Sequence, residues 1–308
     1  MKKTLLILAT FFTLFSCTSD DSNLLPENND ETENPDNTDD PDNTDDPDDP
    51  DNETGDLKIK GIIHYDANNF VKNLDEFEYN AEGFVSKFTS TTNEDGVLLE
   101  KSTYEYEYEE GKLVKIIDTY ESPSGPNVNS VEYITYEGEQ IVETCAELTF
   151  NNAEQITVLK KDEYEFDGNG YKNIHSLYED NYSETLNSCD NVVTMTYQYD
   201  FDYDASGNLI QFKHLVGGGT NYNTYSYDTK KSPSQAIQPE ALKNTIFFRT
   251  STNNNLQTLM KNAINQVVET TDYEYTYNSD DYPTECTVTK TYENGSPTET
   301  TTIEYIYY

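Results

Sequence analysis

A short unit recurs between residues 57 and 308. Two aromatic residues flank a third residue, a carboxylate or Asn follows, and a Gly comes soon after. It reads Phe77-Glu-Tyr79-Asn-Ala-Glu-Gly83, then Tyr106-Glu-Tyr108-Glu-Glu-Gly111. It returns as Tyr164-Glu-Phe166-Asp-Gly-Asn-Gly170 and Phe201-Asp-Tyr203-Asp-Ala-Ser-Gly207, with Tyr133-Ile-Thr-Tyr136-Glu-Gly138 as a shortened copy. Tyr104-Glu-Tyr106-Glu-Tyr108 alternates with period two, which puts tyrosines on one face of a strand and carboxylates on the other. The anchors Tyr79, Tyr108, Tyr136, Phe166 and Tyr203 stand 29, 28, 30 and 37 residues apart. Each interval holds two strands and two turns, so each repeat is one hairpin. The Gly supplies the positive φ of the tight turn.

Hairpins in series make an antiparallel meander of about sixteen strands from Leu57 to Tyr308. An open sheet of that length curls or splits, and its edges invite aggregation. A sandwich needs an aliphatic core, whereas Leu, Ile, Val and Phe are only about a fifth of the chain. Tyrosine takes their place, because its ring can be half-buried while its hydroxyl stays wet. Closure into a wide soluble barrel with a polar, aromatic-lined interior removes the edges without a dry core. An open spiral sheet is the alternative. A membrane-spanning barrel fits less well, since strands such as 287–292 offer no continuous apolar band. The run Leu256, Leu259, Met260, Ala263, Ile264 has helical spacing and interrupts the strand pattern.

The best copy, Phe201-Asp-Tyr203-Asp-Ala-Ser-Gly207-Asn-Leu209, resembles the YD-repeat motif. Tyr225-Ser-Tyr227-Asp228 and Tyr275-Thr-Tyr277-Asn278 add to the likeness, although Asp281 stands where Gly is usual. With the amino-terminal features below, 57–308 resembles a lipoprotein family of unknown function described as porin-like in fold. The resemblance implies an outer-membrane-associated barrel.

Met1-Lys-Lys-Thr precedes a short apolar run, Leu5 to Phe15, too short to span a bilayer but suited to a signal peptide, 1–16. It ends in Leu14-Phe15-Ser16-Cys17, which resembles a lipobox and implies lipidation of Cys17. Thr18-Ser-Asp-Asp-Ser22 is similar to the export tag of surface-exposed lipoproteins, which implies display at the cell surface; a periplasm-facing anchor is the alternative. Residues 18–56 carry 17 Asp or Glu and no Lys or Arg. With Cys17 they form the segment 17–56, a lipidated residue followed by an extended, disordered spacer. The chain's net charge is −40, of which 57–308 holds −25 once the stalk's −17 and the leader's +2 are removed. Nucleic acid and anionic lipid are poor partners for such a surface.

No metal, phosphate-loop or nucleophile motif stands out, so an enzyme, a metal or an organic cofactor is not expected. His64, His175 and His214 each lie beside a strand pattern. Cys145, Cys189 and Cys286 are odd in number. In a meander Cys145 and Cys189 lie on strands separated by two others, roughly 14 Å at about 4.8 Å spacing, beyond the reach of a disulfide, so no bridge between them is expected. The turns near Gly83, Gly111, Gly138, Gly168, Gly207 and Asp281 share the rim where the stalk enters. Longer connections share the opposite, outward rim, where binding loops usually lie. Tyr120, Tyr178, Tyr182, Tyr222 and Tyr292 fall near that rim and are the candidate ligand contacts. Two functions remain: a surface binding module for a glycan or similar ligand, or a structural component of an envelope assembly that takes no small ligand.

Overall fold

The computed structural model describes residues 57–151, 157–181, 188–217, 219–239, 242 and 251–308. Among them are sixteen strands in one antiparallel barrel. The first half comprises β1 Ile59–Tyr65, β2 Val71–Tyr79, β3 Val85–Glu94, β4 Val97–Glu109, β5 Lys112–Glu121, β6 Asn127–Glu137, β7 Gln140–Asn151 and β8 Thr157–Phe166. The second comprises β9 Lys172–Asn181, β10 Met195–Tyr203, β11 Leu209–Val216, β12 Tyr222–Lys231, β13 Asn253–Lys261, β14 Val267–Tyr277, β15 Pro283–Tyr292 and β16 Glu299–Tyr307. Each strand pairs with its sequence neighbours. Closure comes from β1 on β16, where Ile62 opposes Tyr305 and His64 opposes Ile303. The expected meander, its closure and its strand number are all present.

The helix-like run is the second half of strand β13, Leu256 to Met260, followed by the β13–β14 turn that holds Ala263 and Ile264. Leu256 falls at a register shift in β13 and is 40% exposed, while Leu259 and Met260 are adjacent and point to opposite faces. Pairing on both sides, with β12 and with β14, overrides the local spacing.

The repeated turn has one construction. Asn80, Asp167, Asp204 and Asn278 each accept backbone N–H groups two and four residues on. The fourth residue of each loop takes positive φ: Gly83, Gly170, Gly207 and, in the last, Asp281 at 67°. Asp281 thus adopts the conformation the motif reserves for Gly, as short polar side chains can. Asp66 and Asn262 build the same loop on the opposite rim. The second tyrosine of the unit has a structural task as well. Tyr79, Tyr108 and Tyr227 donate their hydroxyls to the carbonyls of Ile59, Val85 and Leu209 on the preceding strand, at 2.6–2.8 Å, and in the last unit the first tyrosine, Tyr275, donates to Asn255 O at 3.0 Å.

The two rims are assigned as expected, but their lengths are not. The β3–β4 connection on the outward rim is only Asp95–Gly96, and the longest of all, 232–252, lies on the stalk rim. Its described part folds back into the barrel. Ala236, Ile237 and Leu242 are buried against Ile59, Phe77, Val85, Phe88, Leu113 and Tyr282, and Val85 N–H donates to Gln238 O. Every strand residue of this cluster lies in the stalk-side part of its strand. The barrel is therefore plugged at the end where the chain enters.

The expected absence of a 145–189 bridge is wrong. Cys145 and Cys189 form a disulfide, with Cα atoms 5.9 Å apart. The strand order was not at fault. Cys189 is not on a strand but in a 3₁₀ turn, Cys189–Asn191, within the β9–β10 connection. Cys145 pairs with exposed Tyr133 and with Lys161, so it faces outward. The turn lies over the outside of the wall, where Leu159 and Val192 are buried. Cys286 is free and buried.

Candidate functional site

Alternation along the strands separates an outer wall from an inner one. In β2, Asp75 and Phe77 are buried while Glu76 and Glu78 are exposed. Following the register around the sheet, the outer wall presents Glu105, Glu107, Thr287 and their like, a polar surface with no apolar band among the described strands.

The inner wall is sorted by height. At the stalk end it is aromatic and aliphatic and closed by the plug. At mid-height it is charged: Lys160 Nζ lies 2.8 Å from Asp162 Oδ2, and His175 Nε2 lies 2.6 Å from Asp162 Oδ1. Burial alone would raise the Asp162 carboxyl, but Lys160 and then His175 hold it well below its usual range. Glu132 and Asp118, on the same face of β6 and β5, are pushed the other way. Burial, then the Glu132 charge, raises Asp118 to about 7. Burial raises Glu132 and Glu179, with Lys160 opposing, and brings Asp75 up to about 6. Lys172 lies over the rings of Tyr164 and Phe201, at 5.6 and 5.0 Å, and burial lowers it to about 7. Toward the outward rim the inner face carries His64, Ser102, Tyr120, Asn223, Met260 and Tyr292, all half-buried. Partial exposure on the inward side marks a surface that the core does not fill.

The candidate tyrosines do not form one site. Tyr120 and Tyr292 share the face of Ile116 and Val288 and point inward, where their hydroxyls donate to Glu100 and Glu299 at 2.9 Å. Tyr222 and Tyr178 lie on the outer wall. Tyr222 donates to Asn265, and Lys161 covers the Tyr178 ring at 4.7 Å. Tyr182 lies outside the described residues, as do Cys17 and the stalk. Sequence reasoning missed the Lys160–Asp162–His175 group. The one signal was Lys160 and Asp162 at spacing two in an apolar-flanked strand, which places both on one face.

His175 is held by Asp162, and burial lowers His64 to about 4. Among the described residues no group of three or more His, Cys, Asp or Glu has the geometry to hold a metal ion.

Fold and site together define a sixteen-stranded antiparallel barrel with a plugged base and a polar inner face. The barrel fold is similar to that of a solved structure. A porin-like protein from Bacteroides uniformis superposes with a TM-score of 0.51 at 13% identity, over 81% of this chain and 98% of its own. A porin-like protein from Bacteroides vulgatus gives 0.47 at 13% identity, over 82% and 99%. No protein-family model matches the chain, and no curated protein is similar to it.

Proposed function

We propose that this chain is a lipid-anchored cell-envelope protein that binds a glycan or similar flat-faced polar ligand on the inner face of its outward rim, without catalysing a reaction. The observation that carries this reading is the sorting of the interior. Apolar packing fills the end where the stalk enters, while the opposite end presents half-buried polar and aromatic side chains with Tyr120 and Tyr292 braced by carboxylates. Tyrosines held rigid by hydrogen bonds offer ring faces to a sugar at little entropic cost. The envelope placement is supported by the lipobox at Cys17 and by the Cys145–Cys189 disulfide, which belongs in an oxidising compartment. A polar outer wall makes the lipid anchor, not the barrel, the attachment to an outer membrane. The stalk could hold the barrel up to about 130 Å from the lipid.

Cys17→Ser tests both halves. The variant should leave the membrane fraction for the soluble one, and the soluble protein should show a saturable tyrosine-fluorescence change with at least one member of a glycan panel. Persistent membrane association would refute the anchor, and a flat response across the panel would refute the ligand. A second reading, an assembly component with no small ligand, is favoured by one observation, an apolar hairpin tip on the same rim.

A further inference from the structure

The β3–β4 hairpin projects beyond its neighbours. The last β2–β3 pair is Asn73 with Thr92, and the last β4–β5 pair is Lys101 with Glu121, so 93–98 runs beyond the ladder on both sides, with Ser122 Oγ donating to Leu99 O at its base. Asp95 and Gly96 close it with positive φ at both positions, the two-residue turn that suits a tight hairpin. Val97, Leu98 and Leu99 follow, exposed by 63, 39 and 42%. Consecutive strand residues face opposite sides, so exposure of all three means that neither face of the tip rests on the barrel. Phe70, 42% exposed, lies at the same rim on the adjoining β1–β2 loop. A three-residue apolar run on a protruding tip marks a contact site, on a rim that also exposes Val193, Leu215 and Ile264.

Charge narrows the occupant. Residues 94–100 carry Glu94, Asp95 and Glu100 and no Lys or Arg. A bilayer would have to admit two carboxylates at the very tip, which is costly. A second copy would bring the same acids, and another −25, against them. We infer that the tip docks into another protein, one that offers an apolar groove edged by lysine or arginine and stands on the side away from the anchoring membrane. This inference is independent of ligand binding on the inner face.

The test places a photo-reactive benzophenone side chain at Leu98, and separately at Thr287 on the mid-barrel wall, in the full-length protein on living cells. A discrete protein adduct from position 98 and none from 287 is expected. The captured protein, purified, should then bind the wild-type chain with a salt-sensitive affinity. Leu98→Asp and the milder Val97→Ser should each weaken that binding, the first by about tenfold or more. Glu94→Lys should weaken it too, and none of the three changes should alter thermal stability. Equal adducts from both positions, an adduct to lipid or to a second copy, or binding indifferent to Leu98→Asp would each overturn the inference.

Discussion

Cys145 on β7 and Cys189 in the β9–β10 connection are covalently joined across 44 residues of sequence that include β8 and β9. The bond fastens a loop of the outward rim to the outside of the wall. Closing a loop of this length removes about 4 kcal/mol of unfolded-state freedom in the chain-entropy account. Cys145→Ser should therefore lower unfolding stability by about 2–4 kcal/mol in denaturant titration. Hydrogen exchange should show residues 188–192 losing protection first. An unchanged midpoint with and without reductant would show that the bond contributes nothing.

The plug should matter more than its place in a loop suggests. Leu242 and Ile237 are 0% and 5% exposed, whereas Val97 is 63% exposed. Truncating either plug residue to Ala should cost about 2–4 kcal/mol, while Val97→Ala stays within about 0.5 kcal/mol. Equal effects at the two ends, measured by urea unfolding, would mean that the plug is not packed.

The turns make a graded prediction. A Cβ on Gly207 would sit 2.8 Å from Tyr171 Oη and 2.9 Å from Thr252 Oγ1, at φ 81°. Gly138 has equally positive φ, 64°, but nothing within 4 Å. Gly138→Ala should cost about 1 kcal/mol from backbone strain alone, and Gly207→Ala clearly more. Asp281→Gly should be neutral or slightly stabilising, because it relieves positive φ and gives up only an exposed pairing with Lys230. Thermal midpoints in the order Asp281→Gly, Gly138→Ala, Gly207→Ala, from highest to lowest, are expected.

The charged belt should give the barrel an unusual pH profile. Burial raises the Asp75 and Asp118 carboxyls to about 6 and about 7, above their unfolded values near 4. Between those limits each of these two carboxyls binds more protons in the folded chain than in the unfolded one, so its own contribution falls as pH rises from about 4 to 7. Asp162 acts oppositely: held low by Lys160 and His175, its contribution is present at neutral pH and lost as pH drops below about 4. His64, lowered to about 4 by burial, and Lys172, lowered to about 7, also act oppositely, each adding stability as pH rises toward its unfolded value. Asp118→Asn should flatten the slope between pH 5 and 7, which melting curves would reveal; an unchanged slope would mean the Asp118 carboxyl titrates normally.

What the sequence disclosed was what repeats. Tyr104 to Tyr108 alternates, Gly83 and Gly207 recur in register, and an even number of strands must close. Those features act within a few residues, so one sequence reveals them. The plug was not legible, because Ala236 and Ile237 stand in a segment with no period, and only the barrel end gives them something to cover. Cys189 misled for the same reason: it lies between strand patterns, and treating it as a strand residue put two strands between it and Cys145. Asp162 and its partners were hidden by abundance, since a chain with 59 acidic residues singles out none. The four described rim tyrosines were placed at the correct end, but parity along β9 and β12 turns Tyr178 and Tyr222 outward.

That division supplies the most direct test of ligand binding on the inner face. A glycan that binds the intact barrel should be titrated calorimetrically against Tyr120→Ala with Tyr292→Ala, and against Tyr178→Ala with Tyr222→Ala. Loss of about 1–3 kcal/mol of binding from the inward pair and none from the outward pair is the predicted result. Equal loss from both pairs, or undiminished binding by the inward pair, would contradict it.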